Sequence, residues 1–310
     1  LLFAAGVLIF FREMSAIRTS TAEQQSWTIL SLVNWSTEYL TEKGIDSPRL
    51  TTELLLCRVL DSSRIDLYTN FDKPLFSRDL LEFKSLLKRR VAHEPLQYIL
   101  GETEFMGLRF SVDRRVLIPR PETEFLVEQV LQTAKNSSVT HILDVGTGSG
   151  NIAISLAKYL GDIRIDAIDV SSDALDVARE NTRKHAVEET VRLFIHNILS
   201  EKLPDGPSPY DVIVSNPPYI SRMEFELLQP EVKEFEPRIA TTDMSDGLTF
   251  FRVLAERGKK LLKSGGTLCV EVGYNQAGDV TELFEQSGYT HPEIGVDYQK
   301  IQRVVSARYG

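Results

Sequence analysis

The sequence predicts an α/β protein, a mostly parallel seven-stranded sheet wrapped by helices on both faces, with a smaller helical domain before it. Three observations predict it. From Thr140 onward, apolar β-branched runs alternate with helical patterns, the order that builds a parallel sheet from strand–helix–strand units. A glycine-rich turn, Asp144-Val145-Gly146-Thr147-Gly148-Ser149-Gly150, follows the first of these runs and opens a helix. Before residue 94 there is no such alternation, and apolar residues recur every three or four positions, the helical spacing.

Composition narrows the class. A chain of 310 residues, 42% hydrophobic and 25% charged, is long enough for two domains with a sizeable core. Its net charge of −9 argues against general nucleic-acid binding, which requires a basic face. Cys57 and Cys269 lie in separate apolar runs and read as small core residues in a reducing compartment. Residues 1–11 are apolar but shorter than the roughly 17–25 residues of a membrane span. They also lack the basic start and small-residue cleavage site of a signal peptide. With Met14 opening a polar segment, residues 1–21 are read as an N-terminal extension.

Residues 22–93 are expected to form a helical domain. Trp27, Leu30, Val33, Trp35, Tyr39 and Leu40 mark a first helix that Gly44 ends. Ser47 and Pro48 then stand as N-cap and first helical residue of a second, and a third runs from Ser77 to Arg90. No phosphate loop, metal cluster or catalytic pair occurs there, so docking or bracing is the expected role. Residues 94–121 are expected to be a hairpin linker, turning near Gly107 and lying over the site mouth. Residues 122–310 carry the sheet, with strands expected at 141–145, 164–170, 192–196, 211–216, 267–272, 293–296 and 302–307. The last two, separated only by residues 297–300, are expected to pair as an antiparallel edge hairpin.

The chemistry-bearing residues fall at the carboxyl ends of these strands, where open α/β sheets bind ligands. Gly146, Thr147, Gly148, Ser149 and Gly150 form a turn that permits positive φ and close approach of a ligand to the backbone. It lacks the Lys-Ser/Thr ending of a P-loop. Asp169 ends the second strand and can accept both hydroxyls of a ribose. Asn197, after the third strand, can meet an adenine edge or form a turn, with Ile198 packing on the ring. The fourth strand ends at Asn216-Pro217-Pro218-Tyr219. Two prolines fix φ and donate no N–H, leaving a rigid turn that presents an amide, an aromatic ring and free carbonyls to a flat group bearing N–H donors.

The glycine turn, Asp169 and Asn216-Pro217-Pro218-Tyr219 together resemble a class I, Rossmann-like S-adenosyl-L-methionine-dependent methyltransferase. More specifically the chain resembles the HemK/PrmC protein-(glutamine-N5) methyltransferases from about Trp27 to its end. The resemblance extends to Leu117-Ile118-Pro119-Arg120-Pro121-Glu122-Thr123-Glu124, Phe235-Glu236-Pro237-Arg238, Asp246-Gly247-Leu248 and Glu271-Val272-Gly273-Tyr274. It implies S-adenosyl-L-methionine as cofactor and methylation of the glutamine in the Gly-Gly-Gln loop of class-1 peptide chain release factors; separately, no His, Cys or carboxylate spacing suits a metal, so none is expected. A cytoplasmic monomer that engages neither nucleic acid nor membrane is implied as well. Cofactor-binding residues would be Gly146 to Gly150, Asp169, Asn197, Ile198 and Asn216. The catalytic turn would be Asn216, Pro217, Pro218 and Tyr219, the Asn216 oxygen and Pro217 carbonyl holding the acceptor amide and Tyr219 packing on its plane. The family carries Asp where this chain has Asn197. An N6-adenine methyltransferase of DNA or RNA could use the same turn, though the acidic balance opposes it. A non-catalytic cofactor-binding scaffold would not need the turn.

Overall fold

The computed structural model describes residues 27–136, 138–200 and 210–310. The expected extension at 1–21 lies outside them. The chain divides into two compact units between His93 and Glu94.

The first unit is helical. Helix α1 spans Ile29–Glu42 and α2 spans Pro48–Leu60, followed by the short α3 at Arg64–Thr69 and by α4 at Ser77–Val91. Thr28 caps α1 with its hydroxyl on the Ser31 amide, satisfying an orphan N–H. Ser47 is the N-cap of α2, with Pro48 in the first turn, but it sits at φ 49° and makes no side-chain cap. Leu32, Val33, Leu40, Leu55, Leu56, Leu80, Phe83 and Leu87 are buried, one face from each of the longer helices.

The second unit opens with α5, Leu96–Leu100, then the hairpin of β1, Glu102–Phe105, and β2, Leu108–Ser111. Met106 and Gly107 turn that hairpin at φ 51° and 67°, the paired positive angles of a tight two-residue loop. There follow α6 (Thr123–Asn136), β3 (His141–Val145), α7 (Asn151–Leu160), β4 (Arg164–Asp169), α8 (Ser172–Lys184), β5 (Val191–Ile195) and β6 (Tyr210–Ser215). Three short helices come next, α9 (Arg222–Glu226), α10 (Pro230–Phe235) and α11 (Arg238–Thr241). The chain closes with α12 (Thr249–Leu261), β7 (Leu262–Glu271), α13 (Ala277–Gln286), β8 (Tyr289–Val296) and β9 (Gln302–Tyr309).

The seven-stranded sheet has the order β5-β4-β3-β6-β7-β9-β8. Pairings from β5 to β7 are parallel. Strand β9 is antiparallel to both neighbours. The expected hairpin forms, with β8 at the sheet edge and β9 inserted beside β7. Asp297 shapes the return by accepting from the Gln299 and Ile301 amides and the Arg303 guanidinium.

Strand alternation divides the interior into two cores. Ile142, Val212, Val214, Cys269 and Val304 pack with Leu126, Val130, Ile152 and Leu156 of α6 and α7. Leu143, Val145, Ile213, Leu268, Val270 and Val305 pack on the opposite face with Phe251, Leu254, Val280 and Phe284 of α12 and α13. Each fully buried side chain of this kind contributes roughly 1.5–3 kcal/mol. Because both faces are covered, the strands read as nearly continuous apolar runs. After β3 the chain moves outward through β4 to β5, then returns to place β6 on the other side of β3. The crevice at that reversal, beyond the carboxyl ends of β3 and β6, is where ligands bind in such sheets.

Candidate active site

A single open cleft occupies that crevice, enclosing about 1210 Å³ including its mouth. Gly146, Thr147, Gly148, Ser149, Asp169, Asn197, Ile198, Asn216, Pro217 and Pro218 all line it. The strand ends thus bring together ten of the predicted residues. Gly150 and Tyr219 are not among the lining residues.

The glycine turn is pinned to the neighbouring strand. Gly146 N and Thr147 N both donate to the Ile168 carbonyl at 2.8 and 3.0 Å. Gly146 and Gly148 sit at φ 75° and 55°, and a Cβ on either would meet nothing within 4 Å. Their missing side chains therefore leave open space on the cleft side. Gly150 has a different duty. As N-cap of α7 at φ 82°, its Cβ would stand 3.0 Å from Ile154 Cδ1 and 3.4 Å from Ala178 Cβ, so it lets α7 pack closely on α8. Beneath the turn, Asp144 is fully buried and accepts from Thr147 Oγ1 at 2.7 Å. Burial pushes its pKa up to about 7, against the pull of that hydroxyl.

Asp169 Oδ2 accepts from Gly148 N and Oδ1 from Ser171 N, both at 2.9 Å. The carboxylate is thereby held rigidly at the cleft wall. Burial raises its pKa, and the backbone donors work in the opposite sense. Ser171, not Asp169, caps α8 through the Ala174 amide. Asn197 uses its Oδ1 to accept from the Leu199 amide at 2.9 Å, an Asx turn that commits one lone pair of the oxygen expected to face an adenine. Ile198 is buried among the core residues on that side.

At the end of β6, Ser215 Oγ donates to the Val145 carbonyl at 2.7 Å and ties the two central strands together. Asn216 Nδ2 donates to Thr123 Oγ1 at 3.0 Å. The amide nitrogen is turned to the first residue of α6, and the Asn216 oxygen lies on the other side of the group.

Tyr219 differs from the expectation that its ring packs on a bound amide. Its hydroxyl donates to Glu271 Oε1 at 3.1 Å, and its backbone carbonyl accepts from Gln276 Nε2 at 3.0 Å. Alternation after the prolines turns the ring into the packing behind the turn, against the β7 side of the core. Burial and the adjacent Glu271 carboxylate raise its pKa.

Two glycines that no local pattern singled out make this seating possible. A Cβ on Gly247 would lie 2.5 Å from the Tyr219 carbonyl oxygen, and one on Gly273 would lie 3.0 Å from Tyr219 Cδ2. Both belong to stretches quoted for the resemblance, but the close approach comes from residues far away in the chain.

The lining also includes Arg115, Val116, Leu117, Pro119 and Arg120, together with Pro237, Ile239, Ala240 and Phe250. The first five belong to the segment expected over the mouth. It packs within the second unit, where Tyr98 donates to the Val116 carbonyl and Ile118 is buried with Val112 and Val177. Glu236, 6% exposed, pairs with Arg120 and accepts from Ile118 N at 3.3 Å. Burial raises the Glu236 pKa, and Arg120 draws it back.

Comparison with known proteins agrees with this arrangement. Residues 31–101 match the PrmC N-terminal domain, and residues 121–231 match the methyltransferase small domain. The release factor glutamine methyltransferase of Geobacter sulfurreducens is 42% identical over 290 residues, covering 94% of this chain and 100% of that protein. The protein of the same name from Chlorobaculum tepidum is 41% identical, covering 92% of this chain and 98% of its own length. A crystal structure of the hMettl16 catalytic domain in complex with MAT2A 3′UTR hairpin 6 aligns with a TM-score of 0.53 at 14% identity. It covers 73% of this chain and 82% of that one, and shows the shared fold alone. The seven-stranded sheet is therefore that of a class I methyltransferase, and the chain belongs to the release factor glutamine methyltransferase family.

Proposed function

We propose that this chain transfers a methyl group from S-adenosyl-L-methionine to the side-chain amide nitrogen of the glutamine in the Gly-Gly-Gln loop of class-1 peptide chain release factors, modulating translation termination. The observation that carries the reading is the Asn216 amide, held through Nδ2 by Thr123 at 3.0 Å at the reversal point of the sheet, in one cleft with the glycine turn and Asp169.

The residues present fit the cofactor. Gly146 and Gly148 leave a cradle that a Cβ would fill, and Asp169 presents a half-buried carboxylate, fixed by two backbone amides, beside it. In this reading Gly146 to Ser149 approach the methionine and ribose portions, Asp169 accepts the ribose hydroxyls, and Asn197 and Ile198 border the adenine. Bound there, S-adenosyl-L-methionine supplies an electrophilic methyl group on its sulfonium.

A glutamine amide nitrogen is a weak nucleophile because its lone pair is delocalised into the carbonyl. The Asn216 oxygen and the Pro217 carbonyl accept its two N–H bonds, orienting the nitrogen and favouring pyramidalisation as positive charge develops. Orientation of this kind can supply on the order of 7–11 kcal/mol of a barrier. Tyr219 supports the turn from behind, anchored at its hydroxyl and at its carbonyl. No base is required before transfer, since the extra proton leaves afterwards.

The N-terminal domain, residues 22–93, docks the release factor in this account, and residues 94–121 border the acceptor. The acting form in this reading is a monomer. Among the described residues no helix is long and apolar enough to cross a membrane, and the reading places the reaction in the cytoplasm, where release factors act. The net charge of −9 supports a protein acceptor over DNA or RNA adenine. The test is transfer of labelled methyl to a release factor, to its Gln→Ala variant, and to adenine-containing nucleic acid. Label on the factor alone is expected. Label on the nucleic acid alone overturns the reading.

A further inference from the structure

Asn181 of α8 is fully buried, and the mechanism above gives it no task. Its side-chain amide makes three hydrogen bonds, all to backbone distant in the chain. Oδ1 accepts from Ser111 N at 2.8 Å, and Nδ2 donates to the Ser111 carbonyl at 3.0 Å and to the Ser149 carbonyl at 2.9 Å. One acceptor and two donors thus meet one donor and two acceptors. The match fixes the orientation of the amide, and neither a carboxylate nor an apolar side chain of the same size can reproduce it.

Both ends of this bridge lead to the cleft. Ser149 lines it, and the Ser149–Gly150 peptide is held on two sides. Gly150 N donates to the Thr147 carbonyl at 2.8 Å, while Asn181 holds the Ser149 carbonyl. A buried carbonyl that loses its donor is costly, and Gly150 at φ 82° gives the peptide freedom to turn away. At the other end, Ser111 closes β2, and four residues later the chain enters the cleft lining at Arg115, Val116 and Leu117. The stretch between has little slack. Val112 is buried and its N–H donates to the Gly101 carbonyl at 3.1 Å, and Val116 N donates to the Asp113 carbonyl at 3.1 Å. His185, the C-cap of α8, also meets the Arg109 carbonyl through Nε2 at 2.9 Å, but that contact reaches the hairpin and not the glycine turn.

We infer that Asn181 is a positioning residue that joins the cofactor turn at Ser149 to the hairpin end at Ser111, so that loading the cofactor steadies the β1–β2 hairpin and the linker wall that follows it. The inference rests on the S-adenosyl-L-methionine site described above and not on the identity of the acceptor. A ligand that favours the observed position of the Ser149 carbonyl also favours the amide bonded to it, and with it the two bonds to Ser111. By linkage the hairpin, once seated, favours the ligand to the same extent.

The test uses the full chain and reads binding, not transfer. Calorimetry on wild type comes first, and absence of S-adenosyl-L-methionine binding would remove the cofactor reading itself. Given binding, the cofactor should slow hydrogen exchange at least about threefold at the Ser111 amide and across residues 102–111 of wild type, followed by NMR. No slowing there overturns the inference, whatever the variants do. Asn181→Leu keeps the approximate volume and removes all three bonds. It is expected to weaken cofactor binding about 5- to 50-fold, the scale for buried polar groups left unpaired, and to abolish the slowing at the hairpin while residues 146–150 still slow. Phe284→Leu controls for lost stability alone, since Phe284 is buried in α13 and does not line the cleft. It should keep cofactor affinity within about twofold and keep the slowing at the hairpin. Wild-type affinity in Asn181→Leu, a hairpin still slowed by cofactor in that variant, or the same losses in Phe284→Leu would each overturn the inference.

Discussion

Replacing Gly247 with Ala probes how tightly the acceptor turn is seated. Gly247 sits at φ 82°, and an added Cβ would stand 2.5 Å from the Tyr219 carbonyl oxygen, 2.8 Å from Gln276 Nε2 and 3.4 Å from Ser221 N. The left-handed backbone alone costs a side-chain-bearing residue about 1–2 kcal/mol. The carbonyl must withdraw by at least about half an ångström, which also strains the Gln276 hydrogen bond to it, an interaction worth about 1 kcal/mol. The sum is a destabilisation of about 2–4 kcal/mol, with Tyr219 displaced and Asn216 three residues before it. Displacement on this scale at a reacting centre costs about 10- to 100-fold in rate. Gly278→Ala is the control. That glycine lies exposed in α13 with nothing near its would-be Cβ, so alanine should stabilise by about 0.5–1 kcal/mol. Thermal unfolding and single-turnover methyl transfer on both variants decide the matter. If Gly247→Ala unfolds like wild type and transfers within twofold of it, the turn is not seated by close backbone packing and the reasoning fails.

Three further outcomes follow from the site. Asp169→Ala should weaken S-adenosyl-L-methionine binding by at least about tenfold in calorimetry, through loss of the carboxylate and of its hold on Gly148 and Ser171. Asn197→Asp keeps the oxygen that caps the Leu199 amide and adds a charged acceptor, so binding should tighten severalfold, about 3- to 10-fold; weaker binding would show that the side chain serves the turn alone. Glu271 keeps its proton to about pH 7 when folded, against an ordinary value of 4.5, because burial opposes its charge. Folding takes up that proton within this window, so stability falls as pH rises from about 4.5 to 7 and then levels, by up to about 3 kcal/mol for this group. Asp144, pushed up to about 7 by burial, adds a slope of the same sign. Unfolding midpoints from pH 5 to 8 should therefore fall less steeply in Glu271→Gln than in wild type, and an unchanged slope would refute the assignment.

The sheet was legible because its strands are buried on both faces. Runs such as Val212, Ile213 and Val214 carry no polar alternation, and turn residues end them where the cleft begins. The glycine turn, Asp169 and Asn216 could be found because each lies within a residue or two of a strand end. What could not be read is long-range or short-period. Helices α9 to α11 are only 5, 6 and 4 residues long and are interrupted by Pro230 and Pro237, too brief for helical spacing to emerge. The direction of the Tyr219 ring depends on what the backbone does after two prolines, on Glu271 arriving from the end of β7 and on Gln276 from the start of α13. Gly247 and Gly273 look like ordinary loop glycines until Tyr219 is placed against them. Sequence position groups Gly150 with the cleft-lining glycines, and the structure adds the close approach of Ile154 and Ala178 to its would-be Cβ. The oxygen of Asn197 was open between ligand and turn on sequence grounds, and the Leu199 amide shows that a turn uses it.

Asn216 lines the cofactor cleft, and in this account its principal task is to hold the acceptor nitrogen. That central claim is tested most directly by measuring, on one preparation of Asn216→Ala, both labelled methyl transfer to a release factor and the dissociation constant for S-adenosyl-L-methionine. The account predicts that kcat falls by about a thousandfold while cofactor affinity stays within about threefold of wild type. Parallel loss of transfer and binding, or transfer that survives the substitution, would contradict it.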